Sequence, residues 1–241
     1  RYLRLTASAK ENKEERMTMD WSPILISMRT AGLSIVFTFF MGILAAWMVV
    51  RISHPLVKTI LDGIFTIPLV LPPTVAGFFL LYVFGVKRPV GQFFLEYFSV
   101  KIAFSWGATV LAAVVMSFPL MYRSARGAFE QVDDTLVQAA RTLGMGEWTI
   151  FRKVLLANAV PGVVSGGVLA FARGLGEFGA TAMIAGNIAG KTRTLPMAVY
   201  SEVAAGNMEA AYSYVAIIVV IAFLSVFLMN GAMWYSQKKS R

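Results

Sequence analysis

The chain has 241 residues, of which 57% are hydrophobic and only 15% are charged, a composition that excludes an ordinary soluble domain and indicates a protein embedded in a bilayer. It has no cysteine, which excludes disulfides and thiolate metal sites. The net charge is +9, but no basic stripe interleaved with aromatic residues supports nucleic-acid binding.

Residues 1–20 precede the first apolar segment. They lack a starting Met, whereas Met17 and Met19 lie directly before the apolar part, and they contain no apolar core of a cleavable signal peptide. We expect an N-terminal extension, introduced by cloning or by a misassigned gene start, followed by a transmembrane domain over residues 21–241.

Five runs contain no Asp, Glu, Lys or Arg, and each is about 20 residues or longer. They cover residues 31–50, 63–86, 102–122, 154–172 and 210–235. A helix of that length crosses roughly 30 Å of hydrocarbon, whereas barrel strands are shorter and alternate in polarity. The sequence therefore predicts an all-α integral membrane bundle of about five transmembrane helices.

Basic residues in the short loops set the predicted orientation. The loop after the first span, the segment 123–153 and the C-terminal tail hold ten Lys and Arg, against five in the alternate loops. The positive-inside rule then places the C-terminus in the cytoplasm and the N-terminus outside. The five basic residues within residues 1–16 count against this orientation.

The second predicted span contains Pro68, Pro72 and Pro73. Proline removes a backbone N–H donor, and lipid tolerates the resulting break only where protein or a cavity satisfies the freed groups. Pro72 and Pro73 are therefore candidates for lining a pathway. A kink that serves packing alone is an equally good interpretation.

Residues 131–156 form a polar segment between the third and fourth spans. Asp133 and Asp134 suit a helix N-terminus, apolar residues recur at helical spacing from Leu136, and Gly144 suits the helix end. A second short helix is predicted to begin near Gly146. On these features alone, a solvated loop and a docking surface for a partner are about equally supported.

Arg173 and Glu177 are four residues apart near the end of the fourth span, among apolar residues. Charges at membrane depth are costly, so we favour an ion pair, with transient contact between Arg173 and an anion as the alternative. Glycines in the same region predict close helix packing, with pore lining less favoured. These glycines are Gly162, Gly166, Gly167, Gly174, Gly176 and Gly179.

The stretch AGNIAGKT, residues 185–192, has the spacing of a phosphate-binding loop. A working loop of that kind follows a buried strand and opens a helix, so that backbone N–H groups cradle phosphates. Here the preceding residues continue a membrane helix, and the predicted orientation places Lys191 outside. We therefore expect no ATP binding at this loop.

The stretch QAARTLGMGEWTIFRKVLL, residues 138–156, resembles the EAA motif of binding-protein-dependent ABC importer permeases. Gln138 stands where the family has Glu, and Ala157 stands where it has Pro. The resemblance implies a cytoplasmic coupling helix that contacts a partner ATPase. The implied contact residues are Gln138, Ala139, Ala140, Leu143 and Gly144.

Longer blocks, among them DGIFTIPLVLPPTVAGFFLL and LAFARGLGEFGAT, resemble the permease subunits of molybdate/tungstate importers. The resemblance implies a homodimer in the plasma membrane, two cytoplasmic ABC ATPase subunits that bind ATP and Mg, and an extracytoplasmic oxyanion-binding protein. No cofactor, metal site or catalytic residue is expected in this chain itself.

A permease must release its substrate, so weak hydroxyl contacts suit the pathway better than a tight cage of arginines. The candidate pathway residues are Pro72, Pro73, Ser165, Arg173, Glu177 and Thr181.

Three alternatives stay open at this stage. Sulfate permeases share the LGEFGA stretch and are the nearest competitor. A passive anion channel would need no coupling surface. A membrane-embedded enzyme would need converging acid, base or metal ligands, and Asp62, Arg173 and Glu177 lack such spacing.

Overall fold

The computed structural model describes residues 20–239, with side chains through Leu228. The predicted N-terminal extension lies outside the described residues, apart from Asp20. Every regular element in the described range is helical. The helices are α1 (Ser22–Val50), α2 (Pro55–Val70), α3 (Pro73–Phe84), α4 (Pro89–Phe98), α5 (Trp106–Glu130), α6 (Asp134–Thr142), α7 (Glu147–Ile150), α8 (Leu156–Leu175), α9 (Gly179–Ile184), α10 (Leu195–Ala204) and α11 (Met208–Lys239), with a π-helical turn at Phe151–Leu155 between α7 and α8.

Helices α1 and α5 run parallel and are held together by buried hydroxyl pairs. Thr30 meets Thr109 with 2.9 Å between their hydroxyl oxygens, and Thr38 meets Ser117 at 3.0 Å. Small polar side chains let membrane helices approach closely and hydrogen-bond across the interface. Because the two helices are parallel, they begin at the same end of the bundle, here named the Trp106 end. The other end, where α5 finishes and α7 starts, is named the Glu147 end.

Helix α8 runs back from the Glu147 end and packs closely on α5. A Cβ on Gly162 would lie 2.6 Å from Cβ of Ala128, and one on Gly166 would lie 2.5 Å from Cβ of Ser124. These distances are too short for any larger residue without a shift. The expectation that glycines on this span serve close packing is thereby confirmed at these two positions.

Helix α11 runs parallel to α1. Its Tyr214 hydroxyl donates to the backbone oxygen of Asp20 at 2.8 Å, at the Trp106 end. Further along, Ser225 and Leu228 line a cleft with Phe39 of α1. The first and last described helices therefore start at the same end and both finish toward the Glu147 end.

Four described helical segments are long and apolar enough to cross a membrane: Ser22–Val50, Trp106–Glu130, Glu147–Leu175 and Met208–Leu228. Their bounds extend past the predicted apolar runs at most ends, because the helices continue into the neighbouring polar and charged residues. The fifth predicted span is instead a pair of helices, α2 and α3, bent by 111°. The pair still carries the chain from the Glu147 end, where Lys58 meets Glu130, to the Trp106 end, where Tyr82 and Phe104 line one cleft.

Candidate translocation and coupling sites

Two broken helices meet inside the bundle. One break separates α2 from α3 at Leu71–Pro72, and the other separates α8 from α9 at residues 176–178. A Cβ on Gly179 would lie 2.8 Å from Cβ of Pro73, and one on Gly77 would lie 2.6 Å from Cα of Ala180. The backbones touch at this meeting point, so glycine is required on both sides.

The meeting point lies well within the membrane-spanning part of the bundle. A Cβ on Gly174, just before the second break, would lie 3.2 Å from the Ser34 hydroxyl and 3.8 Å from Cβ of Ala113. Ala113 lies about 10 Å along α5 from its start. Lipid does not satisfy broken backbone, so such breaks occur where protein or a water-filled cavity does. The two breaks are thus the place in this fold where a pathway is most easily built.

The predicted ion pair forms at the second break. Arg173 Nη1 lies 2.7 Å from Glu177 Oε2, and the other carboxylate oxygen accepts the N–H of Ala180 at 2.7 Å. The spacing suggested that Arg173 and Glu177 lie on one helix. Glu177 lies beyond that helix, because α8 ends at Leu175 and Gly176 caps it. The Glu177 side chain is 2% exposed, whereas the arginine side chain is 28% exposed.

The structure brings together most of the predicted pathway residues. Pro72, Pro73 and Glu177 lie at the two breaks, and Thr181 is buried in α9, which begins directly after the second break. Ser165 is separate: it lies on α8 about 12 Å nearer the Glu147 end, where it lines a polar groove.

The polar segment folds as its sequence predicted. The Asp133 carboxylate accepts the Thr135 N–H at 2.8 Å and caps α6, and this bond lowers the pKa of Asp133. At the other end, Gly144 has φ of 73°, the left-handed conformation that favours glycine. Met145 N–H donates to Ala140 O at 3.1 Å and Gly144 N–H to Arg141 O at 2.9 Å, which closes the helix as a Schellman motif.

The predicted coupling residues divide by exposure. Gln138, Ala139, Leu143 and Gly144 are exposed, and Leu143 presents 80% of its surface. Ala140 is only 5% exposed. Its part in the segment is to pack inward and to accept the closing hydrogen bond, so the accessible part of the predicted coupling surface consists of the other four residues.

Long-range contacts brace this segment against α1, and sequence reasoning missed them. Glu147 accepts a hydrogen bond from Arg141 Nε at 2.9 Å and lies 3.2 Å from Arg51 at the end of α1. The ring centroids of Trp47 and Phe151 lie 4.8 Å apart, and the Trp148 ring packs against Phe151. The polar segment 131–156 is thereby held against the end of α1. The one sequence feature that pointed to this contact was the basic residue Arg51 in the loop after α1.

Helix α7 passes into α8 without a sharp turn. The N–H of Leu156 bonds to the Phe151 carbonyl, five residues back, as in a π-helix. Ala157, which departs from the family's proline, lies in the regular helix that follows. The departure therefore leaves a continuous helical path from Glu147 to Leu175.

A charged network ties α2 to α5 near the Glu147 end. Asp62 accepts the Tyr122 hydroxyl at 3.0 Å and pairs with Arg126, while Glu130 pairs with Lys58 at 2.9 Å. Asp62 was foreseen only as an intramembrane titratable residue, and the basic residues only as topology signals. Nothing in their spacing relates residues about 60 positions apart.

The stretch AGNIAGKT, which has the spacing of a phosphate-binding loop, forms internal hydrogen bonds with the N–H groups at its C-terminal end. The backbone N–H groups of Lys191, Thr192 and Arg193 all donate to the Ile188 carbonyl, at 3.1, 2.9 and 3.1 Å. The Thr192 hydroxyl donates to Gly186 O at 3.1 Å. The N–H groups at the end of this stretch are therefore taken up by hydrogen bonds within the chain.

A family model described as "Binding-protein-dependent transport system inner membrane component" matches residues 38–241. The chain belongs to this family. It is a multi-pass membrane subunit of a transport system and not itself an enzyme.

Individual relatives show which transport systems the chain is similar to. The chain is 43% identical over 92% of its length to the molybdenum transport system permease protein ModB of Escherichia coli (strain K12), of which it covers 96%. It is 33% identical over 85% of its length to the sulfate transport system permease protein CysT of Salmonella typhimurium, covering 73% of that protein. Its fold matches an inward-facing MetNI methionine ABC transporter with a TM-score of 0.68 at 18% identity, over 88% of this chain and 94% of that one.

Proposed function

We propose that two copies of this chain form the permease of an ATP-driven importer that moves molybdate or tungstate into the cytoplasm. The observation that carries the transport function is the meeting point of two broken helices deep in the bundle, connected by one continuous helix to an exposed docking segment. The substrate class follows from the 43% identity with a molybdenum permease.

The proposed orientation puts the Glu147 end in the cytoplasm. Basic residues are concentrated at that end, where Arg51, Arg123, Arg141 and Arg152 all lie. The positive-inside rule then puts the N-terminus outside and the C-terminus in the cytoplasm. A solute-binding protein would deliver the oxyanion at the Trp106 end.

Partner ATPases, which bind ATP and Mg, would dock on Gln138, Ala139, Leu143 and Gly144. Closure of the ATPases moves the docking segment together with the end of α1, because Glu147 joins the two. The segment also continues into α8, which ends one residue before the second break. ATP-driven motion at the surface can in this way reach the place where the two broken helices touch.

The substrate would bind weakly within the membrane. At the break, the Glu177 carboxylate already neutralises Arg173, so a dianion meets a partly compensated charge. A partly compensated charge favours passage of the substrate over tight binding, since a permease must release its substrate. Affinity would reside in the binding protein.

The test is ATP hydrolysis and uptake in proteoliposomes that contain this chain, its ATPase and its binding protein. Molybdate should stimulate hydrolysis and sulfate should not. Leu143→Glu should abolish the stimulation, because it places a charge on an exposed apolar contact without disturbing the fold, and Leu143→Met should retain it. Two copies of the chain should appear in the purified complex by native mass spectrometry.

Stimulation by sulfate alone would overturn the molybdate assignment and favour the sulfate importer. Full stimulation of Leu143→Glu would overturn the docking surface, and uptake without any ATPase would point to a passive channel.

A further inference from the structure

A polar groove lies at the Glu147 end between the last turns of α5 and the first turns of α8. It has a cavity volume of about 610 Å³. The other sides of α5 are occupied: Ser117 faces α1, and Tyr122 and Arg126 face α2. The groove therefore opens on the one side of α5 that the rest of the described chain leaves uncovered.

Its lining has the chemistry of a loose anion site. Hydroxyls of Ser124 and Ser165 and amides of Gln131 and Asn158 surround the groove, together with the guanidinium of Arg123. Hydroxyl and amide dipoles with one guanidinium can hold an oxyanion without dehydrating it fully. At about 30 Å³ per water, the groove has room for an ion that keeps part of its hydration shell.

Arg123 is available to such an ion. It is exposed, and no carboxylate among the described residues pairs with it, whereas Arg51, Arg126 and Arg141 at the same end are all paired. The one carboxylate in the groove, that of Asp133, accepts the Thr135 N–H and caps α6. Arg123 is therefore the one cation among the residues that line the groove, and no carboxylate of the described chain forms an ion pair with it.

A stripe of polar residues connects the groove to the helix break. Asn158, Ser165 and Arg173 are seven and eight residues apart on α8, which is close to two helical turns each time, so they share one side of the helix. An ion that leaves the break would meet a polar group about every 10–12 Å along this side.

We propose that the groove is the exit site of the importer, where a tetrahedral oxyanion dianion pauses at Arg123 before it enters the cytoplasm. This inference rests on the proposed transport function. It adds a charged contact on the cytoplasmic side that is separate from the Arg173–Glu177 pair.

The experiment compares Arg123→Gln with Arg123→Lys and with the matched control Arg152→Gln, in the complete complex reconstituted with its ATPase and binding protein. Arg152 is an exposed arginine at the same end but outside the groove. We expect Arg123→Gln to lower the initial rate of molybdate uptake about fivefold at low ionic strength, because a focused positive charge raises the local concentration of an anion. Arg123→Lys should stay within about twofold of the wild type, and the defect should shrink in high salt.

The outcomes separate this inference from the proposed function. If the wild-type complex carries no oxyanion at all, the proposed function itself fails. If the wild type transports molybdate and Arg123→Gln behaves like Arg152→Gln, the exit site is wrong. If Arg123→Gln loses basal ATP hydrolysis along with uptake, the groove holds a partner subunit rather than an ion, which also overturns the exit site.

Discussion

The predicted coupling segment, residues 131–156, and the meeting point of the broken helices are built on different principles. In the coupling segment, residues close in sequence determine the shape: Asp133 caps the start of α6 and Gly144 closes its end. At the meeting point, backbone touches backbone between Gly77 and Ala180, about 100 residues apart. The first region can lose one contact and keep its form, whereas the second leaves no room for a Cβ at Gly77, so we expect substitutions there to cost more.

The largest effect is expected for Gly77→Ala. The added Cβ would lie 2.6 Å from Cα and 2.7 Å from the carbonyl oxygen of Ala180, both backbone atoms that cannot rotate away. Overpacking of this kind costs about 3 kcal/mol, at the upper end of the usual range, and thermal unfolding in detergent should show it. Gly63→Ala is the matched control, since nothing lies within 4 Å of a Cβ there. Equal melting temperatures for the two variants would show that the two breaks do not touch.

Glu177→Gln tests the ion pair at the same meeting point. The side chain is 2% exposed and holds both Arg173 and the Ala180 N–H, so loss of the charge leaves the arginine without its partner. We expect a loss of about 2 kcal/mol, less than for a fully buried pair because Arg173 is 28% exposed. Adding Arg173→Gln should recover part of the loss in a double-mutant cycle. Additive effects of the two changes would contradict the pair.

Gly144→Ala tests the coupling segment. A left-handed conformation costs about 1–2 kcal/mol for a residue with a Cβ, so the end of α6 should open more often. Hydrogen exchange at Met145, whose N–H closes the helix, should speed up, while global melting changes little. Gly146→Ala is the control, since its φ of −67° suits any residue. Faster exchange in the control as well would place the cause outside the helix end.

Asp133→Ala should have the smallest effect, through loss of the helix cap. The folded pKa of Asp133 lies below its ordinary value, so the cap is fully present above the unfolded pKa and is lost as pH falls through the folded pKa. The difference between variant and wild type, followed by hydrogen exchange in α6, should therefore vanish in strong acid. A difference that persists there would mean that the carboxylate charge does not form the cap. Asp134→Ala, next to it, should change exchange less.

Sequence reasoning succeeded where local rules decide the structure. The bounds of α6 and the start of α7 after Gly146 follow from caps and from spacing along one helix. The pairing of Arg173 with Glu177 was also predicted, although Glu177 lies beyond the end of α8. The prolines likewise predicted a break in the second span.

The remaining features depend on contacts between distant segments, which no local pattern encodes. Neither the contact of Gly77 with Ala180 nor the brace from Glu147 to Arg51 leaves a periodic signal. The burial of Ala140 was missed for a related reason, because a motif identifies the segment but not which of its residues turn inward.

The uninterrupted helix from Glu147 to Leu175 has a mechanical consequence. Its 29 residues form a rod about 43 Å long. If such a rod pivots by about 5° at its docking end, its far end swings by roughly 4 Å, which is comparable to the width of a side chain. Part of that swing can be absorbed at the π-helical turn Phe151–Leu155, with its looser hydrogen bonding, and at Pro161, which removes one backbone hydrogen bond.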